Sequence, residues 1–160
     1  MDIKPVDLAS PAGAGRQRPE AAPPLVPAGH LAGTTSRYPT GETLAGTQAN
    51  FDSTRLAEGL RGPYHRETTP VGRHPANAWG LRDMAGNVCE WTADACVEAL
   101  PGGTDPLVAP AAEPPRRVFR GGCWHLIASQ CASAHRSSMG EQDRGSGVGF
   151  RVALVGAGRP

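Results

Sequence analysis

Glycine and proline punctuate this chain so closely that long regular elements have little room to form: 21 Gly and 16 Pro fall among 160 residues. A glycine adds backbone entropy that an element interior must forgo, and a proline removes an amide donor and clashes with the preceding helical turn. The spacing therefore predicts short strands and turns, with helix-like periodicity only at 53–60 and 126–135. Strand patterns run over Arg117–Arg120, ahead of Gly121-Gly122, and over Gly149–Leu154. From Ala95 to Pro115 the chain is rich in proline, carries adjacent Gly102 and Gly103, and reads as one long loop. The expected class is α+β, irregular and loop-rich, with short strands.

Composition divides the chain. Residues 1–36 hold no aromatic, whereas every aromatic and every cysteine lies between Tyr38 and Phe150. An arm of Ala, Pro and Gly buries too little apolar surface to offset its ordering entropy, so 1–36 reads as disordered, 37–155 as the domain and 156–160 as a tail. A net charge of +1 leaves no electrostatic footprint for nucleic acid. No apolar run approaches the ~20 residues of a membrane span, and Met1-Asp2-Ile3-Lys4 does not open a signal peptide. The expectation is a cytoplasmic protein with reduced thiols at Cys89, Cys96, Cys123 and Cys131.

The densest chemistry lies in Asn77-Ala78-Trp79-Gly80-Leu81-Arg82-Asp83-Met84-Ala85-Gly86-Asn87-Val88-Cys89-Glu90-Trp91. Calcium takes six to eight oxygens, mixing carboxylates with backbone carbonyls, and a glycine lets the chain turn sharply enough for carbonyls to converge. Asp83, Gly86, Val88 and Glu90 offer that mixture. The residues alone fit equally an ordinary turn in which Asp83 caps a short helix.

Other motifs follow in order. Tyr38-Pro39-x-Gly41, Ala49-Asn50-Phe51, Thr69-Pro70-Val71-Gly72, the Pro75–Trp91 stretch, Arg117-Val118-x-Arg120-Gly121-Gly122-x-Trp124, Ala134-x-Arg136-Ser137 and Gly149-Phe150-Arg151-Val152 together resemble the carboxy-terminal half of the formylglycine-generating enzyme family, the sulfatase-modifying-factor domain. The resemblance implies a C-type-lectin-like fold with bound calcium. Carried over by position, Asp83, Gly86, Val88 and Glu90 would form one calcium site, the glycine and valine through their carbonyls. Asn50 and Phe51 would begin a second, whose remaining ligands fall between Gly59 and Glu67, where this chain has no Asp. The family's amino-terminal half ends in a helix just before the Tyr38 region. Here Pro23-Pro24-Leu25-Val26-Pro27 stands near it, so that half is expected to be missing or supplied by a partner chain.

The resemblance also implies protein-cysteine oxidation by a copper-bound cysteine pair at C-x4-C spacing, soft thiolates being suited to Cu(I). In that interval this chain has Cys123 and Cys131, with seven residues between them, as the only catalytic candidates. A rival zinc reading groups Cys123, His125, Cys131 and His135, at separations unlike a familiar finger. Variable proteins of the same family bind ligands through the region matching 124–147. That would make Trp124, His125, Leu126, Ile127, Met139, Glu141 and Gln142 contact residues for a protein or peptide ligand. An oxidoreductase, a calcium-stabilised binding module and a non-autonomous fragment are the three functional expectations.

Overall fold

A four-stranded sheet carries the regular structure of the computed structural model, which describes residues 35–99, 108–109 and 115–152. The strands are β1 (Cys89–Ala95), β2 (Arg116–Arg120), β3 (Ser137–Gly140) and β4 (Val148–Gly149), in the order β3-β2-β1-β4. β2 runs antiparallel to both β1 and β3, and β4 lies parallel to β1. The arm at 1–34, most of the loop at 95–115 and the tail lie outside the described residues.

Side chains explain the pairing. In β2 the buried Val118 fills the core while Phe119 meets Trp91 across the ladder, ring centroids 6.1 Å apart and planes at 86°. Such an edge-on aromatic pair adds about 1 kcal/mol beyond its buried area. The register is Glu90↔Arg120 and Trp91↔Phe119 but then Ala95↔Arg117, so β1 bulges over 92–94. Thr92 Oγ1 donates to the Val118 carbonyl across this irregularity at 3.1 Å, and Arg117 Nη1 donates to the Ala93 carbonyl.

The helical component differs from the expectation. Among the described residues it consists of 3-10 turns at Ser53–Arg55, Glu58–Leu60 and Ala128–Cys131, not α-helices. Asp52 Oδ1 caps the first by accepting from Thr54 N at 3.1 Å, but Gly59, Gly62 and Pro63 follow too closely for a second turn to propagate. Gly149–Leu154 also shortens: only Val148 and Gly149 join the ladder, 150–152 is irregular, and the rest lies outside the described residues.

A core of Tyr38, Leu44, Ala49, Phe51, Ala85 and Cys131 sits beneath these turns, with Phe51 wholly buried. Two isolated parallel bridges, Asn50↔Gly86 and Asp52↔Ile127, tie the 50s segment to the loop before β1 and to the segment after β2. Among the described residues no helix is long and apolar enough to cross a membrane.

Candidate functional site

The oxygen-rich loop is shaped before it reaches β1. Asn77 Oδ1 accepts from Trp79 N and Leu81 N, both at 3.0 Å, and closes a tight turn. Asp83 then adopts a left-handed φ of 56°, and its Oδ2 accepts from Gly72 N at 2.6 Å. Its Oδ1 is buried without a partner. Glu90, the second residue of β1, is gripped by Arg151: Nε lies 3.0 Å from both carboxylate oxygens and Nη2 2.8 Å from Oε1. The same Nη2 donates to the Arg82 carbonyl at 2.8 Å. Burial pushes the Glu90 carboxyl above its ordinary range, Arg151 draws it down, and the nearby Asp83 charge pushes it up again.

Of the two carboxylates only Asp83 Oδ1 is left without a partner, since Arg151 takes both Glu90 oxygens and Gly72 N takes Asp83 Oδ2. An orphaned carboxylate oxygen and a second carboxylate close enough to feel its charge are what a hard cation would relieve. The Gly86 and Val88 carbonyls accept no backbone hydrogen bond among the described residues, which leaves them available as ligands. At the second predicted site, by contrast, Asn50 Oδ1 is orphaned, but Asn50 Nδ2 donates to the Glu67 carbonyl at 2.9 Å and to Asn87 Oδ1 at 3.1 Å. The nearby Asp52 carboxylate accepts from Thr54 N and Thr54 Oγ1.

Asn87, an amide oxygen in the loop that the sequence places outside the expected ligand set, organises it. Its Oδ1 accepts from Thr69 N at 2.8 Å and from Asn50 Nδ2, while its Nδ2 donates to the Thr69 carbonyl at 3.2 Å. Its backbone N–H donates to the Asn50 carbonyl at 2.7 Å, and its carbonyl accepts from Trp124 N at 3.0 Å. One residue thus ties the Asn50, Thr69 and Trp124 segments together. The signal was present in sequence as Gly-Asn, a pair suited to consecutive positive φ, here 76° and 64°.

Cys123 and Cys131 are both sealed inside, at 2% and 1% exposure. Cys89 is buried as well; the neighbouring Cys123 and burial push its thiol up, and burial, with Cys123 nearby, pushes Cys131 up to about 12. The His125 ring lies 3.4 Å from Cys123 Sγ through Nδ1, whereas His135 is engaged with Ser137 instead. Among the described residues no group of three His, Cys, Asp or Glu is arranged to hold a metal ion, which removes the zinc reading of Cys123, His125, Cys131 and His135.

The predicted ligand surface is mixed. His125, Glu141 and Gln142 are exposed; Trp124, Leu126, Ile127 and Met139 are half-buried. Trp124 leans edge-on against His125 with centroids 4.8 Å apart, and its Nε1 donates to the Ser146 carbonyl at 3.4 Å. A separate open cleft of about 330 Å³ borders this surface, with Ile127 and Ala128 on one wall and Arg37, Asp52 and Arg55 on the other.

The chain is 38% identical over 129 residues to the serine/threonine-protein kinase pkn1 of Chlamydia caviae, a match covering 75% of this chain and 18% of that protein. It is 41% identical over 69 residues to the formylglycine-generating enzyme of Mycobacterium tuberculosis, covering 38% of this chain and 21% of that enzyme. Among solved structures, Treponema denticola variable protein 1 superposes with a TM-score of 0.62 at 29% identity, covering 76% of this chain and 41% of that one. The chain spans about a fifth of the length of these curated relatives. The sulfatase-modifying factor enzyme 1-like domain matches residues 14–155, nearly the whole sequence, and the chain belongs to that family.

Proposed function

We propose that this domain is a calcium-held, lectin-like binding module of the family, and that it does not generate formylglycine on its own. The observation that carries this reading is the burial of Cys123 and Cys131 beside the exposed His125, Glu141 and Gln142 and the half-buried Trp124, Leu126, Ile127 and Met139. A cysteine that oxidises a substrate thiol must meet it, and thiols with 2% and 1% exposure do not. The accessible segment instead offers aromatic, aliphatic, Met, acidic and amide side chains, a mixture suited to a protein or peptide ligand. The relatives are compatible with this use: the kinase is several times longer than the matched region, and the Treponema neighbour is named a variable protein.

Asp83 and Glu90 would hold calcium through side chains, and Gly86 and Val88 through carbonyls; the ion's part is structural. Reduced protein incubated with Cu(I) and a C-x-P-x-R peptide is expected to yield no aldehyde. Formation of formylglycine under those conditions would overturn the binding-module reading.

Calcium should be visible in stability. At a free concentration one hundred times its dissociation constant, an ion that binds only the folded state stabilises by about 2.7 kcal/mol. Thermal melts in calcium against EDTA should therefore separate by several degrees, and Asp83→Asn should abolish the separation. Coincident melts for the unsubstituted protein would refute the calcium assignment.

A further inference from the structure

The ladder between β2 and β3 ends on a problem of charge. Its last pair is Phe119↔Ser137, so the next step sets Arg120 beside Arg136, on the face of β2 that buries Val118. Like charges opposite one another across an antiparallel pair destabilise it. Among the described residues neither guanidinium forms an ion pair; the carboxylates of Glu141 and Glu90 serve Arg117 and Arg151 instead. The bonds these two arginines make go to carbonyls: Arg120 Nη2 donates to Ser133, and Arg136 Nη1 donates to Val97 at 3.4 Å.

What remains is a set of unused donors. Arg120 Nε, Arg136 Nη2 and Ser133 Oγ are all buried without a hydrogen-bond partner. Ser133 is 2% exposed, and its backbone is engaged at both ends: its N–H donates to the Arg37 carbonyl at 2.8 Å, and its carbonyl accepts from Arg120. Only its hydroxyl is left over. The turn that carries Ser133 is closed by His135 N donating to the Ala132 carbonyl at 2.9 Å, and Arg136 follows directly. Burial and the Arg136 charge push the Arg120 guanidinium below its ordinary range, and Asp94 opposes them. Asp94 is one carboxylate against two guanidiniums, and its Oδ1 already accepts from Val108 N at 3.3 Å.

We propose that Arg120, Ser133 and Arg136 form an enclosed site for one small inorganic anion, a halide or an oxyanion, at the end of the β2–β3 ladder. Such an ion accepts from all three unused donors and brings the negative charge that the arginine pair lacks. A water meets the hydrogen-bonding need but none of the charge, and buried charge is what is costly to leave unpaired. Because the donor atoms are buried, a free ion suits them better than a carboxylate carried on a partner.

The test is melting of the full chain at fixed ionic strength and fixed calcium gluconate, with sodium gluconate exchanged stepwise for sodium chloride, bromide or nitrate. The expected result is a rise in melting midpoint that saturates with at least one of these anions; the three arms tell halide from oxyanion. Arg136→Met removes the guanidinium that repels Arg120, so it should abolish the saturating rise while melting no lower than the parent in gluconate. Ser133→Ala removes the orphaned hydroxyl and should weaken the apparent affinity by about tenfold. Crystals grown in bromide or nitrate give the second reading, with anion density expected between Arg120 Nε, Ser133 Oγ and Arg136 Nη2. If Arg136→Met does not fold, Ser133→Ala and the crystals still decide. A flat or non-saturating response in every anion, an unchanged response in the variants, or a water alone at the site in both crystals overturns the proposal. Calcium is constant throughout, so the outcome is separate from the calcium assignment.

Discussion

Replacing Asn87 with alanine is expected to lower the unfolding free energy by about 4 kcal/mol, a large share of the 5–15 kcal/mol typical of a domain. The side chain is 4% exposed and serves Thr69 N, the Thr69 carbonyl and Asn50 Nδ2. Truncation leaves those groups buried, and each buried orphan costs about 1–3 kcal/mol. Asn50 Nδ2 retains the Glu67 carbonyl at 2.9 Å, so its loss lies at the low end. Alanine must also adopt a φ of 64°, adding about 1 kcal/mol that asparagine tolerates better. Urea unfolding of Asn87→Ala beside Asn87→Gly separates the two contributions. Glycine removes the same hydrogen bonds without the strain, and should recover about 1 kcal/mol of the loss. An alanine variant within 1 kcal/mol of the parent would show that the hub does not hold the loop.

The parts of the fold that were legible in sequence are those fixed locally. β2 announces itself through Val118 and Phe119 between arginines, and the motifs from Tyr38 to Arg151 announce the family. β3, Ser137-Ser138-Met139-Gly140, has no β-branched residue, and it is a strand because Val118 and Phe119 pair with it. β1 was hidden by its own chemistry, since Glu90 and its neighbours read first as ligands. The helix-like periods at 53–60 and 126–135 yield only 3-10 turns: Gly59, Gly62 and Pro63 interrupt the first, whereas the second, which holds no glycine or proline, stops at Cys131.

Within the site, Asp83 and Glu90 could be named from residue type, whereas Arg151 could not be placed. Its position depends on the chain returning alongside the loop some sixty residues later to grip Glu90. Side-chain identity gives donors and acceptors; which of them meet is decided by pairings between distant segments, and these leave no periodic trace.

Gly86 shows the same lesson at its most severe, and Gly86→Ala is expected to abolish cooperative folding. In sequence this glycine reads as a carbonyl ligand in a turn. In the fold it is also the point where two strands of chain touch: a Cβ there would sit 2.3 Å from the Asn50 carbonyl oxygen and 2.9 Å from its carbon. Neither atom belongs to a flexible side chain, so the segments themselves must part. Parting them breaks the bond from Asn87 N to the Asn50 carbonyl at 2.7 Å, the Asn50↔Gly86 bridge, and the bond from Gly86 N to the Gly121 carbonyl at 2.7 Å. A φ of 76° adds strain for any side chain. Together these place the cost at roughly 4 kcal/mol or more, beyond what an ordinary substitution causes. Gly59→Ala is the control, because its Cβ would meet nothing within 4 Å and its backbone is not left-handed; its unfolding midpoint should stay within about 0.5 kcal/mol of the parent. If Gly86→Ala instead unfolds cooperatively near the parent's midpoint, the loop has another way to approach Asn50. The calcium carbonyls and the Asn87 hub would then be separable, whereas the close approach at Gly86 makes them one cooperative unit.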